Sequence, residues 1–445
     1  MNYADRLENV SVLGAAGKMG SGIVLLTAME MADLSLEPGN PSKTFTLQAV
    51  DISSTALSGL LKYLRDQVQR EAEKKAVWLR KAYENRKDLI ENEEIVNQYI
   101  EDVLAIVRPS TKVEAVYDST LVFEAVNENP DVKVKLFSQI RTHNSKDAWF
   151  LTNTSSIPIS ELNDRVNLNG RIIGFHFYNP PAVQKLVELI RAGSTLPELA
   201  DFSQQFAKKL RKTVVLSNDV AGFIGNGHFM RDALHGISEV ERLTADFGFA
   251  GSVYIVNKIS QDFLIRPMGI FQLIDYVGLD VCQCIMRVMK ERLPGGGLNS
   301  SLIDKLISLG IFGGQNADGS QKDGILKYEK GRPAGVFDPG QRVYVPFAEV
   351  AGRCDEKLGP LPSQAKPWKH VISQADRTGF LDGYFKQLRE MSTLGADLAR
   401  KYGRRSKEIG LGLVKDRVAA REEDVNTVLM TGFYHAYGPV NHYFQ

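Results

Sequence analysis

Cysteine is scarce in this chain. The 445 residues hold only Cys282, Cys284 and Cys354, too few for a disulfide framework or for a four-ligand zinc site, so no metal centre is expected. Charge of one sign is not in excess either. The formal net charge of +1 gives no electrostatic case for binding nucleic acid or an anionic membrane surface. Long hydrophobic runs are missing as well, none approaching the roughly 18 residues of a membrane span. The N-terminus is polar and apolar strand composition begins at Asn9, which leaves no room for a signal peptide. These absences together predict a protein of the reducing cytoplasm.

What is present suits a soluble enzyme. A hydrophobic content of 43% with 24% charged residues is ordinary for globular chains, and the length predicts two or three domains. The most informative stretch is Gly174-Phe-His-Phe-Tyr-Asn-Pro-Pro-Ala-Val-Gln-Lys-Leu-Val-Glu188. Ile172 to His176 has strand composition, and Asn179-Pro-Pro181 must end the strand because neither proline donates to a ladder. A regular apolar pattern resumes from Val183 to Ile190, so Glu188 can fold back towards His176. A carboxylate beside a histidine fixes its tautomer and stabilises the imidazolium, which is what a catalytic base needs.

The chain begins Asn9-Val-Ser-Val-Leu-Gly14-Ala-Ala-Gly17-Lys18-Met19-Gly20-Ser-Gly22, a short strand entering a glycine-rich turn and then a helix-forming run. Such a turn lets backbone approach a pyrophosphate while the helix N-terminus offers free N–H groups. Its spacing, Gly-x-x-Gly-x-x-Gly, is one residue longer than the usual fingerprint. A second strand, Phe45 to Val50, ends in Asp51, placed to hold the adenosine ribose hydroxyls and to repel a 2′-phosphate, which favours NAD over NADP. The gap before Asp51 exceeds the usual ~20 residues, and the loop-like Glu37-Pro-Gly-Asn-Pro-Ser42 absorbs the excess. From Ser53 to Val107 the pattern is helical and rich in charge, with Lys62, Arg65, Arg70, Lys74, Lys75, Arg80, Lys81, Arg86 and Lys87. This face is either solvated or turned to the phosphates of an anionic substrate. Strands resume at Thr120–Phe123 and Ala148–Thr152, each followed by the polar residues expected where an open α/β sheet binds its ligand.

Glu124-Ala-Val-Asn-Glu128-Asn129 with Lys133, Asn153-Thr-Ser-Ser156, His176-Phe-Tyr-Asn-Pro180 with Glu188, and Asp219-Val-Ala-Gly-Phe-Ile-Gly-Asn226 follow one another in this order. Pro267 to Asp280 and Lys327 to Gly335 extend the series. In these blocks the chain resembles the 3-hydroxyacyl-CoA dehydrogenases. The resemblance implies an α/β Rossmann-type dinucleotide-binding domain followed by all-α C-terminal domains, NAD as cofactor and an acyl-CoA thioester as substrate. By position it places the catalytic histidine on His176 and its orienting glutamate on Glu188. Substrate contacts fall on Ser155 and Asn226, and cofactor contacts on Gly14, Gly17, Lys18, Met19, Gly20, Asp51, Glu128, Lys133 and Asn153. Oxidation of a free hydroxy acid by the same histidine and glutamate is the competing reading.

Two departures from the family stand out besides the long glycine turn. Gly227-His228 follows Asn226 where a bulkier, more helix-compatible pair is expected, and Gly314 to Ser320 looks inserted, with Lys322 standing in for a family lysine. In the tail, Val425-Asn-Thr to Gly438-Pro439 repeats the register of Val256-Asn257 through Gly269. That suggests a degenerate second helical domain, as in the larger family members. The resulting expectation is residues 1–217 as the NAD domain with a helical hairpin insertion, 218–345 as the first helical domain and 346–445 as its copy, in a monomer or homodimer. Glu329 to Pro362, rich in glycine and proline, is expected to be a surface connection.

Overall fold

The computed structural model describes every residue except 1, 38, 40–42, 296, 317–318 and 445. Four residues of the expected loop 37–42 and two of the insertion 314–320 therefore lie outside the described residues. The chain divides into two compact units, Met1–Asp219 and Val220–Gln445.

The first unit is built on a sheet of strands β1 (Asn9–Leu13), β2 (Thr46–Val50), β3 (Val107–Ser110), β4 (Leu121–Glu124), β5 (Trp149–Thr152), β6 (Ile172–Phe177), β7 (Leu186–Arg191) and β8 (Thr213–Asn218). Their order is β3-β2-β1-β4-β5-β6-β7-β8. All neighbours are parallel except β6 and β7. The central strands β4, β5 and β6 are buried along their whole length, the run expected when both faces of a parallel sheet are covered. Pro109 lies in β3, and only an edge strand tolerates it, because it donates nothing to a ladder.

The charged segment after β2 forms helices Ser54–Lys74, Ala76–Ala82 and Asn92–Ile106. Ser53 caps the first by accepting the Ala56 N–H at 3.1 Å, and Leu57, Leu60, Leu64, Val68 and Ala72 form its buried stripe at helical spacing. Fully burying each leucine or valine of such a stripe contributes about 1.5–3 kcal/mol. Lys75 is committed within the fold: its ammonium pairs with Asp33, which also accepts the Tyr99 hydroxyl at 2.7 Å. Arg65, Lys74 and Arg86 pair with Glu101, Glu71 and Asp88. Lys62, Arg70, Lys81 and Lys87 are exposed and make no ion pair among the described residues.

The second unit is helical apart from a three-stranded antiparallel sheet, ordered β11-β10-β9, of β9 (Leu326–Glu329), β10 (Arg332–Asp338) and β11 (Val343–Pro346). The segment read as a surface connection is therefore mostly this sheet and the helix Phe347–Leu358 that follows it. Lys330 and Gly331, both at positive φ, make the two-residue turn of the first hairpin, whose backbone twist matches the strands it joins. The long helix Phe223–Lys258 bends at Gly248, which has φ 69°, and it runs unbroken through Gly227 and His228. A side chain at Gly227 would meet Leu413 at 3.0 Å, so the missing Cβ admits a neighbouring helix, Leu394–Lys415. The core of this unit joins residues on both sides of position 345, from Phe229 and Ile274 to Tyr384, Leu398 and Phe444.

One local arrangement occurs twice here. Asn257 accepts the Phe271 N–H at 3.1 Å, and its side chain fills the space a Cβ on Gly269 would need. Asn426 accepts the Val440 N–H at 3.0 Å and fills the corresponding space at Gly438. In both, the bonded N–H is two residues beyond the glycine.

Candidate active site

β1 delivers the glycine turn. Gly14 N–H and Ala15 N–H both donate to Val50 O, at 2.9 and 3.0 Å, and Gly14 has φ 73°, a conformation that disfavours any side chain. A Cβ there would lie 2.6 Å from Ala125 O, and one on Gly20 would overlap the Gly14 carbonyl. Helix Gly20–Ser35 begins at the end of the turn, with Lys18 and Met19 just before it, and burial lowers the Lys18 pKa. Asp51 closes the loop from β2: one carboxylate oxygen accepts the Ala16 N–H at 3.0 Å and the other the Ser53 N–H at 3.3 Å. Each oxygen keeps a lone pair for another donor. A cavity of about 530 Å³ opens beside this turn, lined by Gly14, Gly17, Asp51, Ile52, Val126 and Leu136 among others. It lies at the carboxyl ends of β1, β2 and β4, so the residues present fit the adenosine half of a dinucleotide.

A buried ionic network underlies the next two loops. Glu124, at the end of β4, is fully buried and accepts from the Lys133 ammonium at 2.6 Å, the Thr152 hydroxyl at 2.5 Å and the Val126 N–H at 2.7 Å. Lys133 also reaches Glu128 at 3.3 Å. Burial alone would lower the Lys133 pKa, but Glu124 and Glu128 outweigh it and the net shift is upward. Glu128 in turn clamps the loop after β5. One of its oxygens accepts the Ser155 and Ser156 N–H groups at 2.9 and 3.0 Å and the Thr154 and Ser156 hydroxyls at 2.6 and 2.8 Å. Burial pushes its pKa up, and Lys133 with these donors pulls it further down. The Ser155 hydroxyl lies 3.4 Å from the same oxygen. Asn153 accepts the Phe177 N–H at 2.8 Å and so ties the end of β5 to β6.

His176 and Glu188 stand directly opposite one another in the antiparallel β6–β7 register. His176 Nδ1 lies 3.3 Å from Glu188 Oε1, with the glutamate fully buried and the histidine 8% exposed. Tyr178 donates to the same oxygen at 2.7 Å. Burial and then Glu188 hold the phenol pKa well above its ordinary value, so it stays a donor. The turn between the strands is pinned by the Lys212 ammonium, which donates to Pro181 O at 2.5 Å and Gln184 O at 2.7 Å. Helix Gly20–Ser35 approaches the same turn at Gly22, where a Cβ would meet Pro181 at 2.9 Å.

The first unit thus brings together His176 and Glu188, and separately Glu128, Lys133 and Ser155. Asn226 lies near the start of helix Phe223–Lys258 in the second unit. Sequence reasoning overlooked Tyr178, whose spacing of two from His176 was the available signal. It also overlooked the Glu124–Lys133 pair, for which a lysine nine residues after a strand-end glutamate gives no distinctive pattern.

A doubly wound sheet, a glycine turn opening a helix and an acidic residue ending the second strand mark a dinucleotide-binding domain suited to NAD. Residues 9–220 match the 3-hydroxyacyl-CoA dehydrogenase NAD binding domain, and residues 251–328 match the 3-hydroxyacyl-CoA dehydrogenase C-terminal domain. A probable 3-hydroxybutyryl-CoA dehydrogenase of Deinococcus radiodurans is 31% identical over 230 residues, which is 50% of this chain and 78% of the relative. The mitochondrial hydroxyacyl-coenzyme A dehydrogenase of Homo sapiens is 28% identical over 71% of this chain and 91% of its own length. The chain belongs to the 3-hydroxyacyl-CoA dehydrogenase family, and its cofactor is NAD. The crystal structure of 3-hydroxybutyryl-CoA dehydrogenase from Escherichia coli K12 shares the fold over 98% of this chain and 90% of that one, with a TM-score of 0.64 at 20% identity. Among the described residues, no helix is long and apolar enough to cross a membrane, and no cluster of three or more metal-ligating side chains occurs.

Proposed function

We propose that the chain oxidises an (S)-3-hydroxyacyl-CoA to the 3-ketoacyl-CoA, reversibly, with His176 as general base and acid. The observation that carries this reading is the opposition of His176 and Glu188 across β6 and β7, with Nδ1 turned to the carboxylate. An ionised carboxylate only accepts, so Nδ1 keeps its proton and Nε2 presents a lone pair. Nε2 takes the proton of the 3-hydroxyl as the hydride leaves C3, and Glu188 stabilises the imidazolium. Bound NAD supplies the hydride acceptor at the nicotinamide ring.

Ser155 and Asn226 hold the reacting oxygen or the thioester carbonyl in line, the positioning on which hydride transfer depends. Gly14, Gly17, Lys18, Met19 and Gly20 cradle the pyrophosphate, Asp51 holds the ribose, and Asn153 contacts the cofactor as well as β6. Glu128 and Lys133 serve the cofactor site by fixing the loop that carries Ser155. The exposed Lys62, Arg70, Lys81 and Lys87 are either solvated or turned to the substrate phosphates.

We also infer that residues 346–445 are a degenerate copy of the helical domain 218–345. The repeated Asn–Gly clamp at Asn257/Gly269 and Asn426/Gly438 supports it. So does the succession of helices Leu394–Lys415 and Glu422–Gly432, which parallels the two halves of the helix bent at Gly248. A chain that carries its own second copy leaves monomer or homodimer open, and sedimentation would distinguish the two directly.

The experiment is NADH oxidation with acetoacetyl-CoA, run beside free acetoacetate. Thioester turnover is expected, with kcat in His176→Gln lower by about 10²–10⁴-fold. Turnover of the free acid alone would replace the proposal with a hydroxy-acid dehydrogenase, and full activity in the variant would remove His176 from the chemistry.

A further inference from the structure

A second cavity, of about 390 Å³, lies within the helical unit and has no part in the chemistry above. Arg231, His235 and Ser238 line it from one face of helix Phe223–Lys258, at the i, i+4 and i+7 positions that share a face. Lys290, near the end of helix Leu279–Arg292, and Arg405, in helix Leu394–Lys415, complete the polar wall, and Leu298 contributes to an apolar one. Four basic side chains meet here with no Asp or Glu among the lining residues.

The three cations among them, Arg231, Lys290 and Arg405, are poorly compensated. Arg231 spends one N–H on the Gly227 carbonyl at 2.7 Å, and Arg405 pairs with Glu408 at 3.0 Å along the exposed side of its own helix. Among the described residues, Arg231, His235 and Lys290 make no ion pair. His235 Nε2 is buried and has no hydrogen-bond partner. Burial lowers the Arg231 pKa, with Asp416 opposing and Arg405 adding to the shift. His235 is lowered by burial against Asp232 and Glu239, with Arg405 and Arg266 adding to it. Like charges converging on a partly desolvated cavity cost stability until an anion enters.

We propose that this cavity binds a small, multiply charged phosphate-bearing ligand with an apolar body. The guanidinium fork suits phosphate oxygens, the leucine wall suits the body, and the volume lies in the usual range for small-molecule sites. The cavity shares no lining residue with the one beside the glycine turn, and its occupant is taken to be a third ligand besides cofactor and acyl-CoA.

The test is isothermal titration of the full chain with sodium pyrophosphate and with phenyl phosphate, at constant ionic strength and saturating NAD so that the glycine turn is filled. Saturable binding of both is expected, phenyl phosphate more tightly per charge, with Kd weakened at least about 10-fold in Lys290→Glu/Arg405→Glu, two charges being removed and inverted. Both side chains are exposed, and the single variants Lys290→Gln and Arg405→Gln, each expected to show part of the loss, replace the double variant if it does not fold. Absence of saturable binding at 10 mM-order concentrations (~10 mM, a Kd weaker than any useful site) or equal affinity in native and variant proteins overturns the proposal.

Discussion

Among the described residues, each unit buries a strong ion pair of a lysine or arginine with a carboxylate, and the two are wired differently. In the first, Lys133 and Glu124 are almost inaccessible at 1% and 0% side-chain exposure, and the pair continues through Glu128 into the loop of Ser155. In the second, Arg266 pairs with Asp232 at 2.7 Å, with side chains 7% and 4% exposed. Arg266 also donates to Ser406 at 3.1 Å, tying the chain after the long helix to helix Leu394–Lys415. Asp232 Oδ1 there has no partner. Breaking either pair strands a buried charge, so both hold their folds together. Only the first also holds a candidate catalytic loop, which teaches that burial of charge marks importance without saying whether it serves stability or chemistry.

The sharpest way to separate the two roles is a matched pair of variants. Lys133→Met and Arg266→Met are each expected to cost about 3–5 kcal/mol in denaturant unfolding. Lys133→Met should also lower kcat per folded molecule, because Glu128, which clamps the Ser155 loop, loses its counter-charge. Arg266→Met should leave kcat unchanged, and equal kinetic losses in both would erase the distinction.

Acid offers a second, somewhat smaller test. Burial lowers the His228 pKa to about 4, with Asp232 opposing. A histidine that binds its proton more weakly folded than unfolded contributes stability that is present above the unfolded value of ~6.5 and is lost as pH falls towards 4. The loss reaches at most about 3 kcal/mol at 1.36 kcal/mol per unit. The lowered Glu128 gives way only below the ordinary carboxylate range. Hydrogen exchange between pH 6.5 and 4.5 (roughly the histidine-to-carboxylate window) should therefore loosen the second unit first, and His228→Gln should reduce that dependence, the remainder belonging to His235 and His435, whose pKa burial also lowers. Simultaneous loosening in the variant and the native protein would place the cause elsewhere.

The smallest expected effect is at Tyr178. Tyr178→Phe removes one donor from Glu188 and should cost about 1.5–3 kcal/mol, the worth of a hydrogen bond to a charged group. If it orients Glu188 for His176, part of that cost appears in kcat with KM little changed. A purely structural tyrosine would alter unfolding alone.

Much of the first unit was legible in advance. Asn9–Leu13, Thr46–Val50 and Ile172–Phe177 are strands where their composition placed them, because short stretches rich in β-branched and other apolar residues, bounded by turn formers, fit a pleated and largely buried surface. β3 escaped notice because Pro109 argues against a strand except at an edge, and which strand is the edge is a tertiary fact. The sheet β9–β11 was hidden by its glycines and prolines, which mark turns without revealing what they join. Lys75 read as one more surface cation, yet it is held by Asp33, far away in sequence.

Sequence by itself determined the glycine turn, the NAD-binding class and the family, since these rest on local backbone rules and on residue types at short fixed spacings. Tertiary structure alone decided that Tyr178 shares the Glu188 oxygen with His176, that Lys133 is buried between two carboxylates, and that Arg231, His235, Lys290 and Arg405 share a cavity. The physical reason is that charge and hydrogen bonding act over a few ångströms of space, and only folding sets which distant residues come that near.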